Sequence, residues 1–143
     1  MSTSYALDAN IVIKLLRNDK TVERNFDRSF LNGDKIVIPK AVDYEIRRGF
    51  SIIAAPKKEL TYNKLVEQCF VVEICAAAWD RSVYIYESLY RKGYTVGEID
   101  ILIAAFCLVN DCTLITNNIA DFINIDGLHI VDWTAEEPKG EFP

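Results

Sequence analysis

Ser4-Tyr5-Ala6-Leu7-Asp8-Ala9-Asn10 is a short apolar run that delivers two oxygen-bearing side chains, Asp8 and Asn10, where strand-like sequence gives way to helix-like sequence. Ile11, Val12, Leu15 and Leu16 follow at helical spacing, with Lys14 and Arg17 on the other side. The stretch therefore reads as strand, turn and amphipathic helix, the first unit of a wound α/β fold. Asp8 and Asn10 have two readings at such a junction. Either can cap the helix by accepting a hydrogen bond from an orphan backbone N–H. Either can also be a corner of a metal site, and the rest of the chain bears on that by whether further acids return to the same place.

Downstream, strand and helix signals alternate. Thr21 to Leu31 reads as a helix that stops at Asn32-Gly33-Asp34, and Lys35-Ile36-Val37-Ile38-Pro39 as a buried strand ended by proline. A helix from Ala41 to about Arg48 carries Asp43 and Glu45 and is predicted to end at Gly49. Pro56 precedes a helix from Lys57 to Gln68, and Phe70 to Ile74 is a third strand. The next helix, Ala76 to about Lys92, repeats Trp79, Val83, Tyr86 and Tyr90 at three- and four-residue spacing and ends at Gly93. Thr95-Val96-Gly97-Glu98 has the form of a capping box opening a helix with Ile99, Leu102, Ile103, Phe106 and Val109 as its buried stripe. Thr113 to Thr116 and Leu128 to Val131 are the fourth and fifth strands. Residues 1–134 are expected to form a single domain and residues 135–143 a flexible tail.

Composition narrows the class. The chain has 143 residues, half of them hydrophobic and 26% charged, which suits one globular domain with a real core. No apolar run reaches the roughly 18 residues that span a bilayer, and the first residues lack the layout of a signal peptide, so a soluble cytoplasmic protein is expected. Cys69, Cys75, Cys107 and Cys112 show no C-x-x-C spacing and lie in or beside apolar segments, as reduced and mostly buried thiols do. The only histidine, His129, sits in a strand-like run, which argues against histidine-based catalysis. Net charge is −5, but residues 1–92 balance at +3 and residues 93–143 at −8. A bulk electrostatic binder of nucleic acid would be basic overall; acids gathered in one part of the chain suit a cation or a basic partner.

In a mostly parallel sheet flanked by helices, sites form at the carboxyl ends of the strands. Asp8 follows the first strand, Glu45 lies about one turn into the helix after the second, and Asp121 follows the fourth. Asp100 opens the helix that leads into the fourth strand, and alternation alone puts it at the opposite, amino end. Each acid also has a structural reading: Asp100 as a helix-dipole partner, Glu45 as a partner of Arg48, Asp121 as a turn cap.

These residues together resemble the PIN-domain nucleases, and within them the VapC-type toxins. Tyr5 to Asn10 looks like the family's opening D-x-N element, and Ala41 to Gly49 its second, with Glu45 at the acidic position. Glu98-Ile99-Asp100-Ile101-Leu102-Ile103-Ala104-Ala105 resembles the third, D-x-x-I-A-A, and Leu114 to Phe122 the fourth. The ending Gly127 to Trp133 is likewise similar, so the likeness spans residues 4–133. The departure is at the fourth element, where many members have T-x-D and this chain has Thr116-Asn117-Asn118, with Asp121 three residues later. The resemblance implies a PIN-like three-layer α/β/α fold in which Asp100 reaches the shared pocket. It further implies homodimerisation and a cognate VapB-type antitoxin that covers the site.

Crowded carboxylates repel one another unless a cation is present, and an all-oxygen donor set favours Mg²⁺ or Mn²⁺. The expected activity is hydrolysis of RNA phosphodiesters, with Asp8, Glu45, Asp100 and Asp121 as catalytic metal ligands and Asn10, Thr116 and Asn118 as their support. Whether Asn118 or Asp121 completes the set stays open at this stage. Arg47, Arg48, Lys57 and Lys58 are candidate contacts for RNA phosphates, although such clusters also serve as solvated faces. The rival from another class is a non-catalytic α/β module whose acidic pocket receives a basic partner segment. A haloacid dehalogenase-type phosphatase is disfavoured, because its second aspartate would stand where Asn10 does.

Overall fold

Five strands read from the sequence form one parallel sheet in the computed structural model, which describes residues 3–136 and 139–142. They are β1 (Ser4–Leu7), β2 (Lys35–Pro39), β3 (Phe70–Val72), β4 (Thr113–Ile115) and β5 (Ile130–Asp132). A sixth, β6 (Lys139–Phe142), pairs antiparallel with β5 at the edge. The tail expected over residues 135–143 falls partly on residues 137, 138 and 143, which lie outside the described residues. Seven helices complete the α/β layers: α1 (Ala9–Leu16), α2 (Lys20–Leu31), α3 (Lys40–Ile52), α4 (Pro56–Gln68), α5 (Ala76–Lys92), α6 (Glu98–Asn110) and α7 (Ile119–Phe122). Among the described residues no helix is long and apolar enough to cross a membrane.

The strand order is β3-β2-β1-β4-β5-β6. β1 is therefore central, and Ala6 and Leu7 are fully buried between Ile36 to Ile38 of β2 and Leu114 and Ile115 of β4. The chain winds outward on one side of β1 through β2 and β3, then returns to its other side with β4. That reversal between β1 and β4 is the topological switch point, where open α/β sheets place their ligand crevice. Asp8 leaves the sheet on one side of the switch point and Thr116 on the other, and the Asp8 N–H still donates to the Ile115 carbonyl at 2.9 Å.

Three local expectations need correction. α3 does not end at Gly49 but continues to Ile52; Gly49 keeps an ordinary negative φ, and Phe50 beyond it packs on the core and against Tyr62, ring centroids 6.0 Å apart. That contact carries the helix through a residue worth only about 1 kcal/mol against it. The capping box before α6 is not formed: the helix starts at Glu98, Gly97 is the cap with extended backbone (φ −60°, ψ 148°), and Thr95 lies outside it. The third correction concerns Asp100. α6 joins β4 through only Asp111 and Cys112, so its last residue is at the amino end of the strand. At about 1.5 Å per residue its 13 residues reach back about 20 Å, the length of the sheet and more. Its first turn, with Asp100, therefore stands at the carboxyl edge. Gly93, which ends α5 as expected, takes φ +82°, a conformation that glycine alone adopts without strain.

The four cysteines are free, and Cys69, Cys107 and Cys112 are buried. The core is continuous across the sheet, with Trp133 edge-on to Tyr5 and Phe26 closing it beneath α2.

Candidate active site

Asp8 takes the capping position and is also held at its second oxygen. It is the N-cap of α1 (φ −76°, ψ 160°), with Oδ1 accepting from the Ala9 N–H at 2.8 Å. It is also only 4% exposed, and Oδ2 accepts from Asn10 Nδ2 at 2.9 Å and from Thr116 Oγ1 at 2.8 Å. Three of about four acceptor positions are thus filled, and the side chain is held from both sides of the switch point.

Thr116 is fully buried and acts as the hub. While donating to Asp8, its hydroxyl oxygen accepts from the Asn118 N–H at 3.0 Å and from Asn10 Nδ2 at 3.2 Å. Asn10 completes the tie, its Oδ1 accepting from the Asn117 N–H at 3.1 Å. The hydrogen bonds of Asn10 and Thr116 fix the Asp8 carboxylate and shape the loop after β4. The Asn118 amide donates to Asp121 Oδ2. Asp121 stands in the first turn of α7, close enough for its charge to raise the proton affinity of both Asp8 and Asp100.

The remaining acids converge from two helices. Glu45 comes from α3 and Asp100 from the start of α6. Burial is the largest cause of raised pKa at Asp8, Glu45 and Asp100 alike. The Asp8 and Asp100 charges push Glu45 further up, against a smaller lowering by Arg48, and those of Asp8 and Asp121 help bring Asp100 to about 6. The four acids are thus one electrostatic unit. Glu45 Oε1 is buried without any hydrogen-bond partner among the described residues. A buried carboxylate oxygen left in that state is costly, and an oxygen-seeking cation is the kind of group that would satisfy it. Among the described residues no set of His, Cys, Asp or Glu side chains forms a ready-made metal cage.

In the metal-free protein, neutralising Glu45 should relieve this repulsion. Glu45→Gln is expected to raise the melting temperature at pH 7 by roughly 2–5 °C. At about pH 4, where Glu45 holds its proton in the folded chain, the two proteins should converge. Circular-dichroism melts at the two pH values measure this; a lower melting temperature for the variant at pH 7 contradicts it.

The basic candidates are dispersed. Arg47 turns to Asp43, its Nε 3.0 Å from Oδ1. Arg48 lies over the Tyr44 ring, 5.2 Å from the centroid, and acts on Glu45 only through its charge. Lys57 and Lys58 are exposed in the first turn of α4. A second polar group was not anticipated from the sequence: Asp43, 1% exposed, accepts from Tyr62 Oη at 2.7 Å, from Arg47 Nε and from Lys40 Nζ at 3.1 Å. Its signal was the i, i+3, i+7 spacing of Lys40, Asp43 and Arg47, which puts them on one helix face.

The family described as PIN domain matches residues 5–128. The tRNA(fMet)-specific endonuclease VapC of Shigella flexneri is 29% identical over 131 residues, covering 91% of this chain and 98% of that protein. Ribonuclease VapC2 of Rickettsia felis is 27% identical over 132 residues, covering 90% and 97%. Among solved structures, VapBC from Salmonella typhimurium bound to DNA superimposes with a TM-score of 0.83 at 26% identity, covering 93% of this chain and 99% of the matched one. VapBC2 from Rickettsia felis, bound to a DNA fragment from its promoter, gives 0.81 at 27%, covering 92% and 99%.

Proposed function

This chain belongs to the PIN-domain family, and we propose that it is a metal-dependent endoribonuclease, the toxin of a VapBC-type pair. The single observation that carries the reading is the orphaned Glu45 Oε1 beside Asp8 and Asp100, at the switch point of the sheet. Asp8, Glu45, Asp100 and Asp121 would hold the ion, and their all-oxygen chemistry selects a hard divalent cation, Mg²⁺ or Mn²⁺. Such a cation commonly keeps several waters and uses only one or two carboxylates, which suits acids that gather without closing a cage. When bound, it supplies activation of the attacking water and stabilisation of charge on the scissile phosphate.

The chain's own part is orientation. Thr116 and Asn10 lock the Asp8 carboxylate, leaving part of Oδ1 free. Asn118 donates its amide to the Asp121 carboxylate, which supports the reading of Asp121 as the charged member of that corner and of Asn118 as its support. Low solvent access around Asp8 and Thr116 strengthens these interactions.

The partner follows the relatives. The superimposed structures are VapBC assemblies, so we take a VapB-type antitoxin as partner; a basic segment of it over the acidic pocket, and a homodimer working in the cytoplasm, complete the reading that the likeness to VapC-type toxins implies. Incubation with total RNA in Mg²⁺ or in EDTA tests the activity. Cleavage in Mg²⁺ alone is expected. Intact RNA under both conditions, with retained binding of a basic antitoxin peptide, would instead establish a non-catalytic module.

A further inference from the structure

Resting on the nuclease reading, we infer that Lys40 and Arg47, seated on Asp43, form a phosphate-binding seat for the RNA strand beside the carboxylate cluster. Asp43 is almost fully buried, and an unpaired charge there would be untenable. It is paired several times over. Oδ1 accepts from Tyr62 Oη at 2.7 Å and from Arg47 Nε at 3.0 Å, while Oδ2 accepts from Lys40 Nζ and Arg47 Nε, both at 3.1 Å. Tyr62 is itself buried and comes from α4, so the carboxylate is anchored to two helices.

Neutralising Asp43 needs only one cation, yet two converge on it. The group carries a surplus positive charge, and both cationic side chains face solvent, 48% exposed for Lys40 and 63% for Arg47. Arg47 spends only Nε on Asp43, leaving both terminal amino groups of the guanidinium without a hydrogen bond among the described residues. Those groups form the flat fork that pairs with two oxygens of a phosphate. Lys40 likewise spends one of three donors. A carboxylate buried beneath ion pairs adds little stability over an apolar residue of similar size. What it adds is order in two otherwise flexible cations, which lowers the entropy lost on binding.

Its place suits the role. Ala6 pairs with Val37, so continuing the register sets Asp8 level with Pro39 one strand away, about 4.8 Å across the sheet. Lys40 is the next residue, at the same edge as the carboxylates. Asp43 and Glu45 are two residues apart on α3 and so face opposite ways, Asp43 to Tyr62 and Glu45 to Asp8 and Asp100. An RNA strand crossing the start of α3 would meet the acids on one side and the cations on the other. Glu59 acts on Arg47 at longer range, from the helical turn that also carries Lys57 and Lys58.

The test is steady-state cleavage of a dual-labelled single-stranded oligoribonucleotide across a series of KCl concentrations in Mg²⁺. In Lys40→Gln/Arg47→Gln the KM should rise roughly fivefold or more, with kcat changing far less. The plot of log(kcat/KM) against log[KCl] should become shallower by about 0.7, the value for one phosphate contact on a single strand. Because that variant leaves Asp43 unpaired, Lys40→Gln/Asp43→Asn/Arg47→Gln is measured beside it. The introduced amide keeps a partner for Tyr62 without a buried charge, and melting curves report the fold. Wild-type KM and an unchanged salt slope in the folded triple variant overturn the seat and leave the nuclease intact. A wild type inert towards RNA in Mg²⁺ overturns both.

Discussion

Asp8→Asn is expected to lower Mg²⁺-dependent RNA cleavage by about 10³-fold or more while the protein remains folded, as for the loss of a major electrostatic group at a reacting centre. The asparagine has nearly the same shape and keeps an oxygen for the Ala9 N–H, so the cap of α1 survives, while its amide nitrogen takes the place of Oδ2 and gives up the hydrogen bonds from Asn10 and Thr116. What disappears is the charge most rigidly presented at the switch point. The change also removes a like charge that raises the pKa of Glu45 and of Asp100, which offsets those lost hydrogen bonds, so the variant should melt within a few degrees of wild type in EDTA. Loss of activity in a variant that stays folded separates a chemical role from a structural one. The residues that hold Asp8 should matter less: Thr116→Val or Asn10→Ala would cost about 10–100-fold, the range for groups that orient a ligand. Wild-type cleavage by Asp8→Asn in Mg²⁺, and its loss in EDTA, would show that the ion sits elsewhere.

Asp8, Asn10 and Thr116 were legible as residue types because strand ends are legible. β1 and β4 are short apolar runs ended abruptly by polar residues, and in a parallel sheet those ends share one edge. Asp100 was legible in kind, but alternation alone, read without the direction of α6, put it at the amino end, and only the family resemblance returned it to the pocket. A helix that feeds a parallel strand runs antiparallel to it, so its start belongs at the carboxyl edge. The ends of α3 and α6 depended on packing of Phe50 and on Gly97 as the cap, and neither motif nor propensity carries that information. Asp43 was the least legible. Helical spacing shows that Lys40 and Arg47 share its face, but Tyr62 arrives from another helix, 19 residues on, and only tertiary packing makes an exposed-looking aspartate a buried one. Asn118 and Asp121 read as rivals in sequence, and in the structure the Asn118 amide donates to the Asp121 carboxylate, a contact no sequence pattern shows.

Mg²⁺ at about 100 times its Kd should stabilise the folded chain by about 2.7 kcal/mol, which in a domain of this size is about 8 °C in melting temperature at pH 7. The pH dependence of that shift tests the site independently of any RNA. Asp100 is raised from its ordinary 3.8 to about 6, burial contributing most and the charges of Asp8 and Asp121 next. Between those two pH values the folded metal-free chain keeps a proton that the unfolded chain has lost. The stability tied to that proton is complete below about pH 4 and is lost as pH rises through about 6. Asp8 and Glu45 are raised too and act with the same sign. These groups therefore make the metal-free protein less stable at pH 7 than at pH 5. Protons and the ion compete for the same oxygens, so the shift produced by Mg²⁺ should be several degrees larger at pH 7 than at pH 5. Glu45→Gln, which fills the place of the orphaned oxygen with a neutral amide, should reduce the shift at pH 7, and Asp8→Asn should nearly abolish it. Scanning calorimetry of the three proteins at the two pH values, with and without Mg²⁺, measures all of this. An equal shift at both pH values, or a full shift in Asp8→Asn, would place the stabilising ion away from these carboxylates.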